Sequence, residues 1–291
     1  MVNPLAHDLD HILAHTGDLW ADLRGRRLLI SGGTGFIGCW LLESLCWAND
    51  RLGLGASATV LTRDPAAFAR KAPHLAAHPA VSLLAGDVRS FPMPEGRFSH
   101  VIHAATDASA HLAATAPLVM FETIVQGTRR MLEFACRCGA EALLFTSSGA
   151  VYGPQPPTLA RMAEDFPGAP DPLDPRAAYG EGKRAAEALC ALHTREQGLA
   201  VKVARCFAFV GPYLPLEAHF AAGNFLRDAL AGGPIRVQGD GSPYRSYLYA
   251  ADLAIWLWTL LLRGAPGRAY NVGSEEPINI ANLAYAVAAQ F

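Results

Sequence analysis

No apolar run in this chain reaches the roughly 20 residues that a bilayer demands; the longest, around Leu253 to Leu262, falls far short. The N-terminus, with Asn3, Pro4, His7, Asp8 and Asp10, has no basic region leading into an apolar one, so no secretory signal is read and the cytoplasm is the expected compartment. Charge of one sign is also scarce. The 24 Lys and Arg are spread along the chain against 26 Asp and Glu, for a formal net charge of -2, and form no stripe for nucleic acid or an anionic membrane. A small-molecule substrate is the expectation. No CxxC pair occurs among Cys39, Cys46, Cys136, Cys138, Cys190 and Cys206, which read as free thiols, buried or partly so. His7, His11 and His15 recur at helical spacing, but with Asp8, Asp10 and Asp18 interleaved they read as a solvated helix surface, and no metal is expected. His100 and His103 flank an apolar strand and read as structural or near a cofactor. There is no internal repeat, and 51% hydrophobic residues over 291 allow one large core or two modest ones.

What is abundant is a handover from strand to helix. Leu28-Leu29-Ile30-Ser31 runs into Gly32-Gly33-Thr34-Gly35-Phe36-Ile37-Gly38, three glycines spaced three apart after an apolar run. Gly32 allows a tight turn, Gly35 lets backbone approach a pyrophosphate, and Gly38 lets the new helix sit close on the sheet. The helix N-terminus then offers unpaired N–H groups and the positive end of its dipole to phosphate.

From Arg26 onward, short apolar strands alternate with helices, which predicts an α/β fold with a doubly wound parallel Rossmann sheet and a smaller substrate-binding lobe. Strands are expected at Arg27–Ser31, Ala58–Thr62, Val81–Leu84, His100–Ala104, Ala142–Thr146, Val201–Cys206 and Ala269–Val272. Helices are expected at Phe36–Ala48, Pro117–Cys138 and Ala178–Gln197, near Asn224–Ala231, and from Asp252. Residues 1–207 plus 251–274 read as the dinucleotide-binding domain, with 1–25 a helical extension, and 208–250 plus 275–291 as the substrate lobe. The Pro- and Asp-rich stretch Pro154–Pro175 reads as a long ordered loop over the site. Ile278–Phe291 reads as stopping inside a helix, which points to a further C-terminal piece.

In such a sheet, chemistry gathers just after the strands. Ala104 closes the fourth strand there and is a cofactor-binding candidate. Gly86-Asp87-Val88 follows the third strand, where the Asp87 carboxylate can accept from an adenine amine. Thr146-Ser147-Ser148-Gly149-Ala150 follows the fifth, and Tyr179-Gly180-Glu181-Gly182-Lys183 opens the next helix. Tyr179 and Lys183, four apart, share a helix face. Oxidising an alcohol needs a base for the hydroxyl proton, and a phenol with a pKa near ~10 needs a cation to serve near neutrality. Lys183 is expected to lower the Tyr179 pKa, and Ser148 to hold the same substrate oxygen.

Together these motifs resemble an extended short-chain dehydrogenase/reductase of the nucleotide-sugar epimerase/dehydratase family, from Arg26 to Phe291. The resemblance implies that Gly32, Gly35, Phe36, Ile37 and Gly38 bind the dinucleotide and that Asp87 and Val88 border adenine. It implies a catalytic Ser148, Tyr179 and Lys183, with Tyr179 and Lys183 also touching the cofactor. It implies that Asn224 and Arg245 hold the substrate diphosphate, and that the helices from Pro117 (Leu118, Phe121, Val125, Leu132) and Ala178 (Ala185, Ala188, Leu189, Leu192) form a homodimer interface. The family's 4,6-dehydratases carry Asp-Glu after the catalytic hydroxyl residue; Gly149 and Ala150 stand here, so dehydration is disfavoured. Two frequent Asn positions are Ala208 and Ile124, which leaves the sugar open. At the end of the second strand Thr62-Arg63-Asp64 leaves NAD or NADP open, with Arg63 leaning to NADP. The expected function is a nucleotide-sugar 4-epimerase, with a 4-keto-sugar reductase and a non-catalytic dinucleotide sensor as alternatives.

Overall fold

Short apolar runs closed by polar or glycine turns become strands, and longer amphipathic stretches become the helices that cover them. The structure, a computed structural model, describes residues 3–106, 110–218 and 220–291. In chain order the elements are α1 (Ala6–Thr16), β1 (Arg27–Ser31), α2 (Phe36–Leu52), β2 (Ser57–Thr62), α3 (Pro65–Lys71), α4 (Pro73–Ala76), β3 (Val81–Ala85), β4 (His100–His103), α5 (Ala110–Thr115), α6 (Pro117–Arg137), β5 (Ala142–Ser148), α7 (Ala178–Gln197), β6 (Ala200–Cys206), β7 (Ala208–Val210), α8 (Ala221–Leu230), β8 (Tyr244–Tyr249), α9 (Ala250–Arg263), β9 (Ala269–Val272), β10 (Pro277–Asn279) and α10 (Ile280–Ala288).

Seven parallel strands form the main sheet in the order β3-β2-β1-β4-β5-β6-β9. The chain starts at β1, winds outward to β3, then returns past β1 to β4. That reversal opens a crevice at the carboxyl ends of β1 and β4, where a doubly wound sheet binds its ligand. A second sheet, β10-β8-β7, joins β8 to β10 antiparallel and to β7 in parallel. Its strands are only partly buried, so they carry little apolar pattern for a sequence reading to find.

The core lies on both faces of the main sheet. One cluster holds Trp20, Trp40 and Trp258 with Leu9, Ile12 and Leu45, from α1, α2, α9 and the turn after α1. The other holds Phe91, Phe98 and Phe134 with Ile124 and Met131, chiefly against α6 and α7. The solvated reading of the N-terminal helix therefore holds for one face only, because Leu9 and Ile12 of α1 are buried. Asp252 does not open α9; it lies in the first turn, where its carboxylate meets His11 Nε2 at 3.1 Å.

The irregular segment between β5 and α7 is tied down at its middle. The Asn271 amide donates to Met162 O (2.8 Å), the Asn271 backbone N–H donates to the Glu164 carboxylate (2.9 Å), and Arg205 donates to Glu164 O (2.9 Å). This strap therefore runs along the outer edge of β9.

Candidate active site

The glycine turn is built so that backbone faces backbone. Gly32 has φ +72°, and a Cβ there would lie 2.5 Å from the carbonyl carbon and oxygen of Ala104. The β1–β4 register, Ser31 opposite His103, brings these two strand ends together. At Gly38 a Cβ would run into Gly32 O and the Gly33 Cα, so α2 can approach the turn only with hydrogen there. The first intrahelical bond of α2 is Cys39 N–H to Gly35 O (2.9 Å), which leaves the N–H groups of Phe36, Ile37 and Gly38 without helical partners. A cradle that side chains would fill, ending in free N–H donors, fits a dinucleotide pyrophosphate. Phe36, Ile37 and Ala104 pack their side chains partly into the core and offer backbone to the crevice.

A neutral histidine fixes the floor of this cradle. Burial pushes His103 down to about 3, so the ring is uncharged. Thr128 Oγ1 donates to Ile124 O (2.7 Å), so it accepts from His103 Nε2–H (3.1 Å), and His103 Nδ1 accepts from Ser31 Oγ (2.7 Å). This chain of bonds ties β1, β4 and α6 together below the turn.

After β3, Asp87 is gripped by Arg89 through Nε (2.8 Å) and Nη2 (2.9 Å), which holds the carboxyl below its usual range. Val88 packs its side chain against Gly127 of α6. Asp64 caps α3 by accepting from Ala67 N–H (2.8 Å), so its carboxylate serves the helix end, while Arg63 is exposed.

Lys183 is the most deeply buried charged side chain among the described residues, 1% exposed. Its ammonium donates to Thr146 O (2.7 Å) and Thr106 Oγ1 (2.8 Å), and lies 5.9 Å from the centre of the Tyr179 ring. Burial pulls its pKa down to about 8. Tyr179 departs from expectation: burial raises its pKa, and only the Ser148 hydroxyl beside it pulls the other way. Two of the three ammonium protons go to Thr106 and Thr146 instead. Ser148 closes β5, opposite Cys206 of β6, and its Oγ accepts from Ala150 N–H (3.1 Å).

Two features escaped the sequence reading. Thr106, just past β4, obeys the same rule that selected the other edge residues. Glu187, one turn beyond Lys183 on α7, accepts from Ser147 Oγ (2.5 Å) and makes a partly buried forked pair with Arg205 Nε (3.1 Å) and Nη2 (2.7 Å). Arg205 continues to the Tyr152 hydroxyl (2.8 Å), which donates to Asn271 (2.7 Å). The segment carrying Ser148 is thus bolted to α7, β6 and β9.

The proposed diphosphate residues lie apart from this core. The Asn224 side chain, oriented to donate to Ala218 O (2.8 Å) and Leu216 O (3.1 Å), staples the start of α8. Arg245 is exposed on β8 and donates to Tyr244 O (2.7 Å). Ile124 is buried against Gly182 between α6 and α7. Leu132 belongs to the chain's own core, whereas Leu118, Val119 and Leu192 remain exposed. Among the described residues no cluster of metal-ligating side chains occurs and no helix is long and apolar enough to cross a membrane.

A doubly wound parallel sheet with a glycine turn at its crevice and a Ser, Tyr and Lys at the facing strand and helix ends defines an extended short-chain dehydrogenase/reductase. Residues 28–273 match the NAD dependent epimerase/dehydratase family, and the chain belongs to it. It is 32% identical to UDP-glucuronic acid decarboxylase 1 of Xenopus tropicalis over 257 residues, 88% of this chain and 56% of that protein. It is 31% identical to UDP-glucuronic acid decarboxylase 3 of Arabidopsis thaliana over 261 residues, 90% of this chain and 73% of that one. The chain thus spans little more than half the length of the Xenopus relative. Among solved structures, DesIV of Streptomyces venezuelae, a dTDP-glucose 4,6-dehydratase with NAD and TYD bound, superposes with TM-score 0.77 at 26% identity over 90% of this chain and 80% of that one. The UDP-glucose 4-epimerase of Thermotoga maritima shares the fold at TM-score 0.75 and 21% identity, covering 90% of this chain and 81% of its own.

Proposed function

We propose that this protein is an NAD(P)-dependent enzyme that changes the oxidation state or configuration at C4 of a nucleotide-linked sugar, with a 4-epimerase as the preferred form. The observation that carries this is the buried Lys183 ammonium fixed by Thr106 and Thr146 beside Tyr179. A sensor would gain nothing from sinking a charge there, since burying it is costly. When bound, the dinucleotide supplies the acceptor and donor for the hydrogen and electron pair exchanged at C4. Tyr179 takes the 4-hydroxyl proton, Ser148 holds the same oxygen, and the Lys183 charge favours the phenolate that burial alone disfavours. Gly32, Gly35 and Gly38, with the N–H groups of Phe36 and Ile37, hold the pyrophosphate, while Asp87 and Val88 border adenine. Asn224 and Arg245 stand for the substrate diphosphate, Arg through its planar fork.

Gly149 and Ala150 cannot move a proton, which argues against elimination. An epimerase retains its dinucleotide through purification and turns over with none added; turnover only with added NADPH supports the 4-keto reductase instead. Arg63, with Asp64 committed to its helix cap, favours NADP, and Arg63→Ala is expected to weaken NADP relative to NAD about tenfold by titration. Decarboxylation of a nucleotide-linked hexuronate is a second reading, favoured by the identity to the Xenopus and Arabidopsis enzymes. It starts from the same C4 oxidation: the carboxylate, now β to a ketone, leaves as CO2, C5 takes up a proton, and the hydrogen and electron pair removed from C4 are returned to it. The exposed Leu118, Val119 and Leu192 on α6 and α7 support a homodimer through those helices, which sedimentation tests. Mass analysis of small molecules released on denaturation tests cofactor and substrate together.

A further inference from the structure

Glu43, in the middle of α2, is 2% exposed, yet nothing in the proposed chemistry uses it. A carboxylate only accepts, and three donors from distant parts of the chain converge on this one: Asn3 Nδ2–H (2.9 Å), His74 Nε2–H (2.7 Å) and the Tyr213 hydroxyl (2.5 Å). The Tyr213 donor is held at a cost. Among the described residues Tyr213 alone, glycines aside, has a left-handed backbone, φ +72°, which a bulky side chain keeps only when its surroundings enforce it. Burial, helped by the Glu43 carboxylate, raises its pKa well above the usual range, so the hydroxyl retains the proton it donates.

The strained turn is the root of the small sheet. Gly211, Pro212 and Tyr213 follow β7 directly, and Trp40, three residues before Glu43 on the same face of α2, donates its Nε1–H to Pro212 O (2.9 Å). Beyond Tyr213, a Cβ on Gly223 would meet Pro215 O at 2.6 Å, and Asn224 staples Leu216 and Ala218. α8 therefore rests on the segment that Tyr213 pins. The ammonium of Lys71, 5.7 Å from the centre of the Tyr213 ring, donates to Thr34 O inside the glycine turn (2.8 Å). One helix thus opens with the pyrophosphate cradle and, about one and two turns on, carries the mooring of α8 and the small sheet.

We propose that Tyr213 and Glu43 are positioning residues, whose bond moors the small sheet and α8 to the cofactor helix in the arrangement that receives the substrate's nucleoside diphosphate. This rests on the proposal that Asn224 of α8 and Arg245 of β8 hold that group. A mooring acts through population. If loss of the hydroxyl leaves the moored arrangement about one-tenth occupied, apparent affinity for the diphosphate falls about tenfold, and a hydrogen bond to a carboxylate is strong enough for that shift. The cradle keeps its own contacts, so dinucleotide binding is spared.

The test titrates the whole protein with NAD, NADP, UDP and dTDP by calorimetry, the diphosphates in the presence of whichever dinucleotide binds. Tyr213→Phe removes only the hydroxyl; it is expected to weaken the diphosphate about tenfold, with the dinucleotide within about twofold and Tm within about 5 °C of wild type. Tyr213→Gly relieves the backbone strain but also loses the mooring, so its diphosphate affinity should fall equally. With UDP-glucose or UDP-glucuronate, whichever turns over, KM should rise with the diphosphate Kd while kcat stays within about twofold. A diphosphate affinity that survives either variant, or diphosphate and dinucleotide affinities that fall together, overturns the inference and leaves the nucleotide-sugar reading intact. If wild type binds neither UDP nor dTDP, that reading fails and takes the inference with it.

Discussion

The two halves of the crevice are made from different materials. The dinucleotide half is almost all backbone: hydrogen in place of Cβ at Gly32 and Gly38, free N–H groups at the start of α2, and an uncharged His103 underneath. The proposed sugar half relies on side chains, with a buried ammonium and a phenol raised by burial. Backbone recognition tolerates no added volume but needs no particular proton state. Side-chain chemistry tolerates small changes in shape but depends on charge.

The largest expected effect breaks the sugar half alone. Tyr179→Phe should lower turnover about 10³-fold or more while dinucleotide binding by calorimetry stays within about twofold, since the ring still packs and only the proton carrier is lost. Equal losses in both would dissolve the contrast. Gly38→Ala attacks the other half: its methyl meets backbone, so about 2–3 kcal/mol of stability should be lost by denaturant unfolding, together with the shift that added dinucleotide gives wild type.

A subtler cut is by pH. Lys183, with a folded value of about 8 against an unfolded one near ~10.4, is charged below that value. The kcat/KM of wild type should therefore fall as pH rises through about 8. Over the window from there to ~10.4 the unfolded chain holds the extra proton, so this lysine's penalty on folding shrinks as pH rises and is full below it. Lys183→Met should remove that alkaline gain in stability. Thr106→Val takes one acceptor from the ammonium and should move the activity limb to lower pH, with a several-fold loss of turnover at neutrality. A limb that stays in place would reduce Thr106 to a spacer.

The same division governs what the sequence disclosed. β1 at Arg27–Ser31, β9 at Ala269–Val272 and α7 at Ala178–Gln197 lie where the apolar runs and breakers put them, and the glycine turn is legible because backbone demands leave glycines behind. Side-chain partnerships leave weaker marks. Thr106 is one hydroxyl among many, and Glu187 looks like a solvated helix residue until Arg205 arrives from another strand. The small sheet was missed because its half-exposed strands show no clean alternation. α9 begins at Ala250, two residues before Asp252, whose carboxylate instead meets His11, 241 positions away in the sequence.

The strap tied down at Met162 and Glu164 has a consequence beyond the site. A parallel sheet that ends in a short strand such as β9 leaves an open row of backbone donors and acceptors, on which a strand from another molecule can add. Here a carboxylate from the strap takes the Asn271 N–H, and the Asn271 amide pins the strap in turn. With the outward N–H of Asn271 taken by its own chain, the β9 edge offers a neighbouring molecule a poorer template to extend.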